Sequence, residues 1–212
     1  MPSPVARAFL DAGRVAAELI ARPEVGAGWD GPSALPELTV RGLTGHLLRA
    51  TVSVEAYLNR DEPDGQPIGA AAYYLQAVDE PDIHSPLHRA IRQRGEEQAA
   101  PGYESVRDEA FGMLDRLETR LDAEPAGRKV RVYKDFVLLL DDYLVTRVIE
   151  LVVHVDDLAA SVGAAAPPLP RDATRIAIDA LVEMARLKHG DLAVLRALTR
   201  RERDDVGALR VL

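Results

Sequence analysis

The chain has 212 residues, of which 47% are hydrophobic, so it can form one or two domains with a substantial core. A formal net charge of −8, without a dense lysine or arginine cluster, argues against a nucleic-acid-binding surface. The sequence contains no cysteine, which excludes disulfides, thiolate metal sites and a cysteine nucleophile. We find neither a signal peptide nor an apolar run long enough to span a bilayer, and we therefore expect a cytoplasmic protein without membrane association.

Apolar residues recur at helical spacing along most of the chain. This periodicity predicts helices over residues 5–22, 40–59, 70–78, 81–100, 102–122, 142–162, 172–188 and 192–199. Pro23 should end the first helix, residues 26–36 should form a loop, and Thr39 should cap the second helix. Residues 129–133 and 136–140 could pair as a small β-hairpin.

The helix predicted over residues 142–162 carries a polar stripe. At about 100° per residue, five polar side chains fall within roughly an 80° arc: Arg147, Glu150, His154, Asp157 and Ser161. Apolar residues surround the stripe, so most of the helix should be buried. A buried carboxylate and imidazole one turn apart must be paired, hydrogen-bonded or bound to a metal. We therefore predict that Glu150 and His154 are metal ligands.

His46, on the helix predicted over residues 40–59, is the candidate third ligand. It shares one track of that helix with Ala50, Ser53 and Tyr57, and small neighbours would leave room for a cofactor or substrate. Two imidazoles and a carboxylate are a common ligand set for catalytic zinc, which keeps an open position. We expect Zn²⁺, with Ni²⁺ or Fe²⁺ as alternatives, because such ligands discriminate poorly by affinity alone.

A buried ion-pair network is the alternative interpretation of the stripe. In that network, Arg147 pairs with Glu150 and His154 pairs with Asp157, since buried charges need partners. The apolar surroundings and the location of His46 on a separate helix favour the metal interpretation.

The other three histidines are not expected to be metal ligands. His84 and His88 have metal-compatible i, i+4 spacing, but the charged residues around them are more typical of a solvated face: Arg89, Arg92, Arg94, Glu96 and Glu97. His189 is expected at a helix C-terminus, where an imidazole interacts favourably with the helix dipole, and it is interpreted as structural.

Two segments resemble a known family. Residues 38–47 read LTVRGLTGHL and residues 146–158 read TRVIELVVHVDDL. Both resemble signature segments of the DinB-like superfamily, in particular the mycothiol-dependent maleylpyruvate isomerase N-terminal domain branch, and the resemblance spans about residues 5–163. It implies an all-α, up-down-down-up four-helix bundle whose metal is held by one histidine of the second helix and two residues of the last. Those positions correspond here to His46, Glu150 and His154.

The resemblance also implies a domain organisation and a function. Residues 1–163 should form the metal-binding bundle, and residues 164–212 should form a helical extension packed on it. The implied function is that of a metal-dependent isomerase or thiol S-transferase. It would activate a small thiol such as mycothiol, or water, to attack an electrophilic small molecule. The alternative is a non-catalytic metal-binding bundle with a binding or stress-response role.

Individual roles follow from this interpretation. Asp157 should orient a ligand imidazole or hold a polar group of the thiol, and Arg147 should anchor an anionic group or offset Glu150. Arg147 and Asp157 are therefore the candidate catalytic residues, and Tyr57 and Asp157 the candidate cofactor-binding residues. We expect the metal to face a groove between the second and last helices, with one end covered by the extension. The expected lining comprises Ala50, Ser53, Tyr57, Arg147, Asp157 and Ser161.

Overall fold

The computed structural model describes residues 1–200, 202 and 206–211. Within those residues the regular structure is almost entirely helical. The helices are α1 (Pro4–Ile20), α2 (Pro23–Ala27), α3 (Val40–Leu58), α4 (Ala70–Ala77), α5 (Pro86–Ala99), α6 (Tyr103–Ala123), α7 (Leu140–Ser161), α8 (Arg171–His189) and α9 (Asp191–Thr199). Two short strands, β1 (Lys129–Arg131) and β2 (Val137–Leu139), and 3₁₀ turns at Tyr133–Asp135 and Val206–Leu209 complete the described elements. The all-α prediction is confirmed.

Helices α1, α3, α6 and α7 form the four-helix bundle, in which α1 and α3 each pack against both α6 and α7. Contacts at the helix ends give their directions. Ser3 at the start of α1 donates a hydrogen bond of 2.7 Å to Asp141 at the start of α7. Arg120 near the end of α6 donates to the last carbonyl of α3 at 2.9 Å, and Tyr103 at the start of α6 donates to the Arg22 carbonyl just beyond α1. Thus α1 and α7 run one way while α3 and α6 run the other, which confirms the up-down-down-up topology.

The bundle core lies between these helices and follows the helical spacing of the apolar residues. Its largest fully buried side chains include Phe9, Leu19, Leu43, Leu47, Leu117, Leu144 and Ile149. Thr39 caps α3 as predicted, because its hydroxyl oxygen accepts a hydrogen bond of 2.9 Å from the backbone N–H of Gly42. The cap and the apolar face together define where α3 begins and how it is oriented.

The predicted β-hairpin is confirmed. Strands β1 and β2 are antiparallel, and the buried residues Val130 and Leu138 lie opposite each other. The connection between the strands contains Lys134 and Asp135, both in the left-handed region with φ of 57° and 62°. This connection also carries Tyr133.

The helices differ from the prediction in two places. Residues 23–27 form the short helix α2, because Pro23 occupies the first helical position, where a missing N–H is harmless. Helix α5 begins at Pro86 rather than near residue 81. Its N-cap is Ser85, whose hydroxyl oxygen accepts a hydrogen bond of 3.2 Å from the backbone N–H of His88. The cap with a following proline therefore determines the start of α5.

Helix α5 lies unusually close to α3, and two glycines make this possible. A Cβ atom on Gly45 would overlap the carbonyl oxygen of Gly95, and a Cβ atom on Gly95 would lie 2.5 Å from the carbonyl oxygen of Gly42. Side chains larger than hydrogen would push the two backbones apart. The close crossing places one face of α5 beside the helix that carries His46.

Helix α8 packs against α1, α4 and α7. Its buried face consists of Ala173, Ala177, Met184 and Ala185. The division of the chain at residue 163 stays a prediction. No helix in the part of the chain that the structure describes combines the length and apolar character needed to cross a membrane.

Candidate metal centre and adjoining cavity

Two bundle helices bring the predicted ligands together. Helix α3 carries His46, and α7 carries Glu150 and His154 one turn apart on the face towards α3. Their side chains are 21%, 18% and 19% exposed, respectively. One ligand atom from each residue lies within 4.8 Å of the other two.

Both imidazoles approach the same oxygen of Glu150. The Nε2 atom of His46 lies 2.9 Å from Glu150 Oε2, and the Nε2 atom of His154 lies 3.4 Å from it. The two imidazole rings meet edge to face, with their centroids 4.8 Å apart. The two nitrogen atoms therefore converge on one carboxylate oxygen.

Asp157 and Tyr74 bond to two of these three side chains from outside the cluster. The Nδ1–H of His154 donates a hydrogen bond of 2.9 Å to Asp157 Oδ2, so Nε2 is the ring nitrogen that faces Glu150. Tyr74, on α4, donates through its hydroxyl to Glu150 Oε1 at 2.7 Å. The partners thus orient one imidazole and the carboxylate.

The cluster changes the pKa values of its own members. Burial alone would raise the pKa of Glu150, but hydrogen bonds from His154 and His46 outweigh it and hold that pKa well below its ordinary value. Burial would lower the pKa of His154, but its hydrogen bonds with Asp157 and Glu150 raise it to about 9. For Tyr74, burial and then the negative charge of Glu150 raise the pKa of the hydroxyl. The hydroxyl therefore stays protonated and acts as a hydrogen-bond donor.

The chemistry and spacing of these donors fit a divalent ion. Tetrahedral zinc ligands at about 2.0–2.1 Å from the metal lie roughly 3.3 Å from one another. The separations of 2.9 Å and 3.4 Å around Glu150 Oε2 are close to that value. His46, Glu150 and His154 would hold the ion, and within the described residues the group contains only these three. Three protein ligands leave a position open for a small molecule.

The centre opens onto a cavity of about 240 Å³. Five tyrosines and three arginines dominate its lining, which comprises His46, Arg49, Ser53, Tyr57, Tyr73, Tyr74, Val78, Leu87, Ile91, Arg94, Tyr133, Tyr143, Arg147 and Glu150. Its walls come from α3, α4, α5 and α7, with Tyr133 contributed by the hairpin connection. A cavity with this lining combines positive charge with hydroxyl donors and aromatic faces.

The arginines give the cavity its positive charge. None of Arg49, Arg94 and Arg147 forms an ion pair with a carboxylate in the described contacts. Burial, followed by the nearby charge of Arg94, lowers the pKa of Arg49. Arg147 lies 5.1 Å from the ring centroid of Tyr143 and donates through Nε to Thr146 Oγ1 at 3.0 Å. The cavity can therefore accept an anionic group without displacing an existing ion-pair partner.

The structure brings together only part of the expected lining. Ser53, Tyr57 and Arg147 line the cavity, whereas Ala50, Asp157 and Ser161 are not among the lining residues. Asp157 bonds His154 instead, and Ser161 accepts a hydrogen bond of 2.8 Å from the backbone N–H of Ala34.

The covering elements also differ from the expectation. Helices α4 and α5 and the hairpin connection contribute to the cavity, while no described residue of 164–212 is among its lining residues. The expectation was that the extension covers one end of the groove. Instead α8 packs against α4 and α7.

Arg94 is one of the charged residues near His84 and His88 that are typical of a solvated face, yet in the structure it lines the cavity. Leu87, Ile91 and Arg94 are spaced by four and three residues and form one helical track facing the cavity. That spacing was a signal that could have found Arg94. His84 and His88 have separate partners: His84 pairs with Glu37 at 2.9 Å, and His88 Nε2 contacts the Glu80 carbonyl at 2.7 Å.

The ion-pair alternative is present only in part. His154 and Asp157 pair at 2.9 Å, but the described contacts include no ion pair between Arg147 and Glu150. Arg147 still affects the carboxylate through its charge, which helps to lower the pKa of Glu150.

By its fold and its cluster of ligands, the chain is a four-helix-bundle protein with a candidate metal centre between facing helices. Residues 9–159 match the family described as the mycothiol maleylpyruvate isomerase N-terminal domain. The chain belongs to that family.

A solved structure supports the same fold. The crystal structure of the mycothiol-dependent maleylpyruvate isomerase is similar to this chain, with a TM-score of 0.54 and 15% sequence identity. The similarity covers 89% of this chain and 72% of that one. At this identity the likeness shows the fold alone. No match was found among curated proteins.

Proposed function

We propose that this protein is a metal-dependent enzyme of the thiol S-transferase or mycothiol-dependent isomerase type. The observation that carries the proposal is the convergence of His46, Glu150 and His154 beside a cavity lined by arginines and tyrosines. Family membership favours mycothiol as the small thiol. A bound divalent ion, with Zn²⁺ expected, would supply a Lewis acid that lowers the pKa of a thiol or of water.

The protein's own residues would position the reactants. Asp157 fixes the orientation of His154 through the hydrogen bond at Nδ1, so its role is in positioning. Tyr57 lies at the cavity wall, where its hydroxyl can bond the sugar hydroxyls of a thiol such as mycothiol. Polar groups placed in this way orient a small ligand within its cavity.

The arginines favour an electrophilic substrate that also carries a negative charge. Arg49 and Arg94 can each donate to a carboxylate, and guanidinium–carboxylate bonds are among the stronger hydrogen bonds in proteins. Arg147 lies beside Glu150 and would stabilise negative charge that develops as the thiol attacks. The arginine-rich wall would thus hold the substrate while the electrophilic carbon faces the thiol sulfur.

A non-catalytic metal-binding bundle is the second candidate. A structural zinc site normally has four protein ligands. Asp157 is the nearby carboxylate that could complete such a set, but it accepts a hydrogen bond from His154 Nδ1 and does not belong to the three-residue group. The observed bonding of Asp157 therefore supports the enzyme over the structural site.

Metal content is the first test. We expect purified wild-type protein to hold about one equivalent of zinc, and the His46→Ala/His154→Ala variant to lose it, because two of three ligands are gone. The control is His84→Ala/His189→Ala, in which both replaced histidines are exposed. Equal metal content in wild type and in the His46→Ala/His154→Ala variant would show that these residues do not form a metal site.

Thiol binding is the second test. Calorimetric titration of zinc-loaded protein with mycothiol should show binding with an enthalpy that depends on the buffer, since ligation of a thiol releases its proton. A fully loaded protein that binds neither mycothiol nor another cellular thiol would contradict the thiol-dependent enzyme. That result would support the non-catalytic bundle or an activated water.

A further inference from the structure

Tyr74 holds the side of the Glu150 carboxylate that faces away from the histidines. Its hydroxyl donates to Oε1 at 2.7 Å, while His46 and His154 approach Oε2 at 2.9 Å and 3.4 Å. The two carboxylate oxygens therefore have separate partners. Neither family membership nor the two sequence segments assigns a role to this tyrosine.

The surroundings of Tyr74 make its position rigid. The side chain is 4% exposed, and its ring meets that of Tyr73 edge to face at a centroid distance of 6.2 Å. Helix α4, which carries both rings, packs against α7 and α8. A buried, closely packed ring restricts where its hydroxyl can reach.

The hydroxyl has two acceptors within reach but one proton. The carbonyl oxygen of Thr146 lies 3.2 Å from it, whereas Glu150 Oε1 lies at 2.7 Å. A hydrogen bond to a charged carboxylate is shorter and stronger than one to a neutral carbonyl. The proton of Tyr74 is therefore directed to Glu150.

We propose that Tyr74 is a positioning residue that restricts Glu150 to one metal-binding oxygen and so keeps a coordination position open. A carboxylate can offer a metal one oxygen or two, and a hydrogen bond on Oε1 opposes the two-oxygen mode. This inference rests on the proposed metal function. It adds the reason why a three-residue set would stay unsaturated and available to a thiol.

Replacing Tyr74 with phenylalanine tests the role, because the change removes the hydroxyl and keeps the ring. The matched control is Tyr73→Phe, an adjacent cavity-lining tyrosine that is 5% exposed. Zinc affinity is measured by competition with a chromophoric chelator. The visible spectrum of the cobalt(II)-substituted protein reports coordination number, since four-coordinate cobalt absorbs more strongly than five- or six-coordinate cobalt.

Tyr74→Phe should weaken zinc binding by about 10–100-fold, the usual effect of losing a partner that orients a ligand. The visible absorption of its cobalt(II)-substituted form should be weaker than that of wild type, because the carboxylate then supplies a second oxygen to the metal. The control Tyr73→Phe should match wild type in zinc affinity and in the cobalt spectrum. Unchanged affinity and spectrum in Tyr74→Phe would overturn the proposal. Failure of that variant to fold, seen by circular dichroism, would also overturn it by assigning Tyr74 to core packing. Absence of zinc binding by wild type would instead contradict the proposed function itself.

Discussion

At the scale of single residues, the centre depends on how each charged side chain is paired. His154 bonds Asp157 through Nδ1, and Glu150 is bonded on both oxygens. Buried charges are usually paired, hydrogen-bonded or bound to a metal. The arginines of the cavity differ because no described carboxylate pairs with them. These two patterns lead to separate predictions.

The stability of metal-free protein should depend on His154. The hydrogen bonds with Asp157 and Glu150 overcome burial and raise the pKa of His154 to about 9. A raised pKa in the folded state contributes stability that is complete below the unfolded value, near 6.5, and is lost as pH rises through the folded value. The free energy of unfolding should therefore fall by up to about 3 kcal/mol between pH 6.5 and 9.5. The depressed pKa of Glu150 has the opposite sign and acts only in acid, as pH falls below about 4.5.

Urea denaturation of chelator-treated protein across this pH range measures the effect. Asp157→Asn should flatten the decline, because the largest favourable contribution to the raised pKa of His154 is its hydrogen bond with Asp157. Asp156→Asn is the matched control, since Asp156 is the exposed neighbour. A wild-type profile that is flat between pH 6.5 and 9.5 would show that His154 is not charged in this setting.

Arg94 should contribute to the binding of anionic ligands in the cavity. Replacing it with glutamine removes a charged donor, and hydrogen bonds to charged groups contribute about 1.5–3 kcal/mol, equivalent to roughly a 10–150-fold change in affinity. With maleate as a dicarboxylate probe, calorimetry should show weaker binding to Arg94→Gln by a factor in this range. Arg92→Gln is the control, because Arg92 pairs with Glu37 and does not line the cavity. Equal losses in the two variants would indicate a general effect of surface charge.

At the scale of elements, the crossing of α5 over α3 determines the shape of the cavity. The crossing requires Gly45 and Gly95, since a Cβ atom at either position would meet backbone of the opposite helix. Backbone contacts do not yield as a flexible side chain does. The position of Leu87, Ile91 and Arg94 near the helix that carries His46 therefore depends on glycine at both crossing positions.

Gly45→Ala should separate α5 from α3 and destabilise the protein by about 1–3 kcal/mol, the range for inserting a group into a packed interior. Gly112→Ala is the control within a helix, because a Cβ atom there would meet only Arg116 Nη1, at 3.5 Å. That control should be stabilised by about 0.5–1 kcal/mol through the helix preference of alanine. Thermal denaturation compares the variants, and a Gly45→Ala protein as stable as wild type would contradict the tight crossing.

At the scale of the whole molecule, α8 joins the last part of the chain to the bundle. It packs against α7, which carries Glu150 and His154, and against α4, which carries Tyr74. The extension therefore contacts two helices of the site without contributing described residues to the cavity lining. We predict that residues 164–212 and the bundle unfold together.

Met184→Ala tests this prediction, because Met184 is a fully buried residue of α8. The variant should lose about 2–5 kcal/mol of stability and still unfold in a single transition. Leu187→Ala is the control, since Leu187 is 56% exposed and its truncation should change stability little. Calorimetry that resolved a separate, earlier transition in Met184→Ala would show that the extension unfolds on its own.

The sequence by itself determined the helical architecture and the three candidate ligands. Helix periodicity and capping are local, and the i, i+4 spacing of Glu150 and His154 places them on one face before any tertiary contact forms. His46 could be proposed because its helix has a similar polar track and because the surrounding segment resembles the family. The hairpin was also predictable from alternation over a few residues.

Only the tertiary structure decided what surrounds those ligands. Tyr74 and Arg94 reach the cavity because α4 and α5 dock at particular positions, and local spacing does not specify which helix packs against which. Asp157 differs, because it lies three residues from His154 on α7 and their contact is local. Its helix position allowed either a polar group of the thiol or the ligand imidazole, and in the structure its carboxylate accepts the hydrogen bond from His154. The spacing of Glu150 and His154 is a property of one helix turn, whereas the contacts of Tyr74 and Arg94 depend on packing between helices distant in sequence.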